Sequence, residues 1–183
     1  MEFRPDSHGP DRVDRVAPCR FFNDLLEPLY RTVDNMPAMS KQPPSHTATQ
    51  ARELALKLLY LLDATDSKTV ERQMPELLGS ETDSRSAREG ARELYRGVTA
   101  SLGEIDAKIA EAALNWQLSR MPYIDRAILR LGVYELLYAH DVPPKVSINE
   151  AVDLAKRYST EKSGAFVNGV LDKVFQTYCP EKV

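Results

Sequence analysis

At 183 residues, with 43% hydrophobic side chains and only 8 glycines, the chain has room for one domain with a real core plus a tail, and its recurrent Ala/Leu/Glu/Arg segments point to an all-α fold. No apolar run approaches the ~20 residues that a membrane span needs, and the N-terminus lacks the charged-then-apolar layout of a signal peptide. The net charge of −3, from 24 basic and 27 acidic residues, excludes a global attraction for nucleic acid, so any RNA binding must come from a local patch.

Residues 1–46 read as a poorly ordered N-terminal extension. "RPDSHGPDRVDRVAP" is polar and aperiodic, "RFFNDLLEPLYRTV" is a short amphipathic segment interrupted by Pro28, and "KQPPSHTAT" has the composition of a linker. Met39, in "AMSKQPPS", is an alternative start. The first 38 residues hold 5 basic and 7 acidic side chains, which leaves the rest near neutral with 19 and 20.

The domain proper is read over 47–180, as a bundle of about seven helices. "TATQARELALKLLYLLD" opens on a Thr47-x-x-Gln50 capping box, and Ala51, Leu54, Ala55, Leu58, Leu59 and Leu62 form one buried stripe. "TVERQMPELLG" is a shorter helix loosened by Pro75. In "SAREGARELYRGVTASLGEIDAKIAEAALNW" the apolar positions Ala87, Ala91, Leu94, Val98, Leu102, Ile105, Ile109 and Ala112 predict two helices meeting near Gly103. After Pro122, "YIDRAILRLGVYELLYAH" is apolar on nearly every side and should be the central helix. "VPPK" breaks the chain, and "SINEAVDLAKRY" starts on a Ser147-x-x-Glu150 capping box. "SGAFVNGVLDKVF" makes the last helix, with Val167, Val170, Leu171, Val174 and Tyr178 as its stripe.

No catalytic constellation is visible. His8, His46 and His140 are scattered, and there is no nucleophile elbow, phosphate loop or zinc-binding histidine pair. Cys19 and Cys179 lie at opposite ends with no metal or redox spacing, as expected of a reduced cytoplasmic setting without metal or cofactor. Glu135 falls on the stripe of Ile124, Ile128, Leu131 and Tyr138, so it needs a basic side chain or free helix N–H groups as a partner.

Two aromatics leave their stripes. Tyr60 projects about 170° from the centre of the first helix's stripe, with Leu56 beside it, and Phe166 lies roughly 100° aside on the flank of Lys162 and Lys173. Either the rings cover secondary cores, or they stack on single-stranded RNA bases while lysines meet phosphates. Ala165 and Gly169, four apart, leave one side of the last helix flat for a close backbone approach; Gly164 sits in the first turn, where a glycine costs least.

These residues resemble a known family. "VPPKVSINEAVDLAKRYSTEKSGAFVNGVLDKV" is similar to the C-terminal signature of the NusB family of bacterial transcription antitermination factors, "IDRAILRLGVYELLY" to its central helix and "ARELALKLLYLLD" to its first. The likeness runs from about Thr47 to Tyr178, and V-x-x-K-V-x-I-N-E-A and F-V-N-G-V-L-D-K are its specific segments. The resemblance implies a two-part all-helical protein, monomeric or homodimeric, with no cofactor. It also implies pairing with NusE, a small-subunit ribosomal protein, to bind boxA, a single-stranded element of ribosomal RNA leaders, and to help RNA polymerase read through terminators. Carried over by position, the RNA face comprises Arg52, Lys57, Tyr60, Lys162 and Phe166, and the NusE face includes Asp125.

The chain departs from the family at the start of its first helix. Where relatives carry an arginine-rich run this one reads "TATQAR", and only Arg52 remains. Fewer phosphate contacts lower the electrostatic part of RNA affinity. The alternative reading is therefore an interaction module that binds NusE and has weak autonomous RNA binding. A NusB-like domain also fronts ribosomal RNA cytosine methyltransferases, but no Gly-rich cofactor-binding α/β pattern occurs up to Val183.

Overall fold

The structure, a computed structural model, describes residues 47–113 and 116–179. The extension over 1–46, the Met39 start and the "RFFNDLLEPLYRTV" segment lie outside the described residues. Among these there are seven α-helices and no strand: α1 Thr47–Ala64, α2 Ser67–Glu81, α3 Arg85–Ala100, α4 Leu102–Ala112, α5 Tyr123–Tyr138, α6 Pro144–Tyr158 and α7 Ser163–Tyr178, with a 3-10 turn at Leu118–Arg120 before α5. The all-α reading with about seven helices holds.

A leucine stripe sets α1 against its neighbours, but the burial is wider than the stripe. Arg52, Leu56 and Leu61 are buried along with Ala51, Leu54, Ala55, Leu58 and Leu59. The reason is that α1 packs on α3, α5 and α2, so it is enclosed on more than one side. The Thr47-x-x-Gln50 capping box does not form. Thr47 is already helical, and the Gln50 side-chain amide donates to Thr82 Oγ1 at 3.0 Å, tying α1 to the turn before α3.

Asp66 caps α2 by accepting from the Lys68 and Thr69 amides at 2.9 and 3.0 Å, and the helix continues through Pro75. Its buried face, Val70, Met74, Leu77 and Leu78, packs chiefly on α1. Ser84 caps α3 through the Ala87 amide at 3.2 Å. Here Tyr95, and not Leu94, holds the core position, at 1% exposure. The α3–α4 junction falls at Ser101, two residues before Gly103.

The central helix is α5, with Ala127, Ile128, Leu129, Leu131, Val133 and Leu136 buried among α1, α3, α4, α6 and α7. Its start overlooks an ionic lattice. Arg130 clamps Asp106 of α4 through two nitrogens at 2.7 and 2.8 Å and reaches Asp63 of α1 at 2.8 Å, while Arg126 adds a bond to Asp63 at 2.9 Å.

α6 begins three residues ahead of the expected Ser147 box. Pro144 occupies the first turn behind Pro143, where its fixed φ suits the helix and its missing N–H is not needed. Ser147 lies inside the helix, 1% exposed. The glycine reading also needs correction. A Cβ at Gly169 would meet nothing within 4 Å and Ala165 is exposed, so their flat side faces outward. Close approaches occur instead at Gly132, where an added Cβ would lie 2.8 Å from Leu171, and at Gly97, where it would meet the Tyr134 ring at 2.2 Å.

Candidate nucleic-acid interface

The outer side of α1 and the first turns of α5 and α7 meet at one end of the bundle. Tyr60 is half-buried there, its ring edge-on to Tyr123 with centroids 6.2 Å apart. Tyr123 begins α5 and is 47% exposed. The Arg126 guanidinium lies 4.9 Å from its centroid, fixed by Asp63 at 2.9 Å and the Leu118 carbonyl at 3.1 Å. A second aromatic couple sits on α7, where Phe166 is half-buried and packs against Trp116 with centroids 5.5 Å apart. Trp116 is the outer ring, 54% exposed.

Asp125 links the couples through the backbone they sit on. Its Oδ2 accepts from Ser163 Oγ at 3.0 Å, and that hydroxyl meets those of Ser159 and Thr160 at 3.0 and 2.8 Å. The start of α7 is thereby pinned to the first turn of α5. Asp125 is only 5% exposed, so the carboxylate is turned inward. In the first turn of α5 it points at α7, with Oδ2 bonded to Ser163 and Oδ1 buried without a hydrogen-bond partner among the described residues.

Arg52 is turned inward as well. It is buried, its Nε donating to Glu135 at 2.8 Å and its NH1 lying 3.6 Å from Glu150. Burial pushes the Glu135 carboxyl above its usual range, and the Arg52 charge and hydrogen bond act against that shift. Glu135 thus has the basic partner its apolar stripe demanded, and Arg52 is the internal counterion of α5. A helical wheel drawn on α1 alone cannot show this, because α5 covers a side that the wheel leaves open.

Lys57 is exposed and pairs with Glu81 at 2.7 Å. Lys162 is exposed, one residue before α7. The structure therefore leaves Lys57 and Lys162 exposed and Tyr60 and Phe166 half-buried, Lys57 and Tyr60 along α1 and Lys162 and Phe166 at the start of α7, and turns Arg52 and Asp125 inward. Sequence reasoning missed Trp116 and Tyr123. The available signals were a lone tryptophan in a polar connection and an aromatic directly after Pro122. Chemically, the surface offers rings for bases to stack on and cations for phosphates.

The sequence pattern of the NusB family matches residues 49–176. The transcription antitermination protein NusB of Anaeromyxobacter sp. (strain Fw109-5) is 47% identical over 135 residues, covering 73% of this chain and 93% of its own. That of Desulforapulum autotrophicum is 44% identical over 128 residues, covering 68% and 88%. Among solved structures, T. maritima NusB superposes with a TM-score of 0.67 at 37% identity, covering 78% of this chain and 96% of its own. A crystal structure of the antitermination factors NusB and NusE in complex with double-stranded RNA has a TM-score of 0.63 at 30% identity, covering 72% and 98%.

Proposed function

The chain belongs to the NusB family, and on that premise we propose that it is a transcription antitermination factor of the cytoplasm. It binds boxA-type single-stranded RNA of ribosomal RNA leaders together with NusE and promotes read-through by RNA polymerase. The observation that carries the RNA part is the pair of aromatic couples, Tyr60–Tyr123 and Phe166–Trp116, beside exposed Lys57 and Lys162. Half-exposed rings next to lysines suit unpaired bases, because every base has a face to stack and every phosphate a charge to meet. A solved relative that holds both NusE and RNA supports the pairing. Asp125 serves the NusE side indirectly, by fixing where α7 begins.

A second reading, an interaction module that binds NusE and little RNA on its own, is favoured by the buried Arg52 and the paired Lys57. Titrating labelled boxA-type RNA into the protein, with and without NusE, separates the two. Measurable binding by the protein alone, tightened by NusE, supports the first; binding only in the presence of NusE supports the second. No RNA binding under either condition overturns both.

A further inference from the structure

Glu53, Lys57 and Tyr60 follow one another along α1 at spacings of four and three residues, so they line one side of the helix. Both charged members have partners from other helices. Arg157, next to the end of α6, bonds Glu53 through NH1, and Glu81, the last residue of α2, takes the Lys57 ammonium at 2.7 Å. Tyr158 lies near one member of each pair. The Arg157 guanidinium is 5.9 Å from the Tyr158 centroid, and the Tyr158 phenol, raised mainly by burial, also feels Arg157 and Glu81. All four charged side chains keep contact with water, at 42% exposure for Lys57, 29% for Glu81, 31% for Arg157 and 21% for Glu53.

We propose that Arg157 is a further phosphate-binding residue of the RNA face, and that Glu53 and Glu81 are the carboxylates an RNA phosphate displaces from Arg157 and Lys57. This rests on the RNA reading above. Solvent-exposed ion pairs are weak, and a phosphate presents the same charge with more acceptor oxygens to a guanidinium fork. Exchange is therefore easy, but each carboxylate subtracts from what the RNA gains. With Arg52 buried under Glu135, Lys57 is the cation one turn from Tyr60 on this side of α1, and Arg157 meets the same side one turn further back, at Glu53. Their built-in competitors set the intrinsic RNA affinity low and make binding depend on a second contact, such as NusE.

The test uses fluorescein-labelled boxA-type RNA and the full chain, over a salt series, with the melting transition of each variant recorded. Glu53→Gln and Glu81→Gln should each tighten binding about two- to fivefold, the range of a weak exposed pair. Each should also steepen the log–log salt slope by up to ~0.7 as one cation is freed for phosphate. Arg157→Gln should weaken binding, and adding it to Glu53→Gln should erase that variant's gain. Glu53→Ala and Glu81→Ala repeat the comparison without a hydrogen-bonding amide. If Tyr60→Ala weakens binding while the carboxylate and Arg157 variants leave affinity and slope unchanged, or the carboxylate variants bind more weakly, the exchange is overturned and the RNA reading stands. If neither parent nor variants bind RNA, with or without NusE, the RNA reading itself falls.

Discussion

Arg52 of α1 and Glu135 of α5 form an ion pair at 2.8 Å with side-chain exposures of 7% and 4%. It joins the first helix of the domain to the central one at a site from which water is excluded. A pair so placed is weak evidence for net stability, yet breaking it from one side strands the other charge.

Arg52→Ala should destabilise the domain by ~3–5 kcal/mol, the cost of a stranded buried charge. Replacing both members, as Arg52→Met with Glu135→Leu, should recover most of that loss. Urea unfolding measures both. A single alanine variant that unfolds like the parent would show that Glu135 is neutral or finds another partner.

Tyr95 supplies an alkaline limit. Burial pushes its phenol up to about 12, and among the described residues its hydroxyl has no hydrogen-bond partner. A raised pKa stabilises the fold while the unfolded phenol is still protonated, and this is lost as pH rises from about 10 towards 12, at up to ~1.4 kcal/mol per pH unit. Tyr95→Phe should therefore move the alkaline unfolding midpoint upward. At neutral pH it should be neutral or stabilising, because no bond is broken. Unfolding curves at neutral pH and across pH 9–12 read both effects.

Two glycine-to-alanine changes should differ in sign. At Gly97 the new methyl would lie 2.2 Å from the Tyr134 ring, so the ring must move, at a cost of ~1–3 kcal/mol. At Gly169 the methyl meets nothing within 4 Å, and helix propensity should yield a gain of ~0.5–1 kcal/mol. Thermal melts of the pair check this directly.

Tyr60→Ala, Phe166→Ala and Trp116→Ala should each weaken RNA binding about fivefold to a hundredfold, the span of one lost stacking contact. Their salt slopes should stay close to the parent's, because stacking releases no counterions. Lys162→Ala should instead lower the slope by ~0.7. Trp116→Ala is the most informative, since Trp116 is more than half exposed and its loss should leave the melting transition nearly unchanged. Equal affinity in all three aromatic variants would remove the platform.

Asp125→Lys should act on folding before it acts on any partner. A cation at 5% exposure beside Ser163 has no countercharge, and the start of α7 should loosen. Ser163→Ala is the milder probe. If Asp125 serves NusE through α7, Ser163→Ala should weaken NusE binding severalfold, and isothermal titration of NusE into each variant reads the difference.

The helices were legible because long segments carried one unbroken period. α5 begins directly after Pro122, and α7 on the serine that opens "SGAFVNGVLDKVF". Errors fell where another element intervened. Pro144 could start α6 without help, so the Ser147 box was redundant; Thr82 claimed Gln50 from its own helix end. The aromatic side of the candidate site was readable because Tyr60 and Phe166 leave their stripes on a single wheel. The charged side was not, because the burial of Arg52 and Asp125 is decided by α5 and α7 packing across them. Sequence spacing is silent about that.

α2 is held mainly by α1, and its last residue is Glu81. Amide hydrogen exchange should therefore find α2 opening well below the free energy of global unfolding, while the amides of α5, packed on five neighbours, exchange last. Each such opening lifts Glu81 from Lys57 and leaves the ammonium free. A ligand that captures the freed ammonium would hold α2 in its open form, so adding RNA should speed exchange in α2 while slowing it along α1.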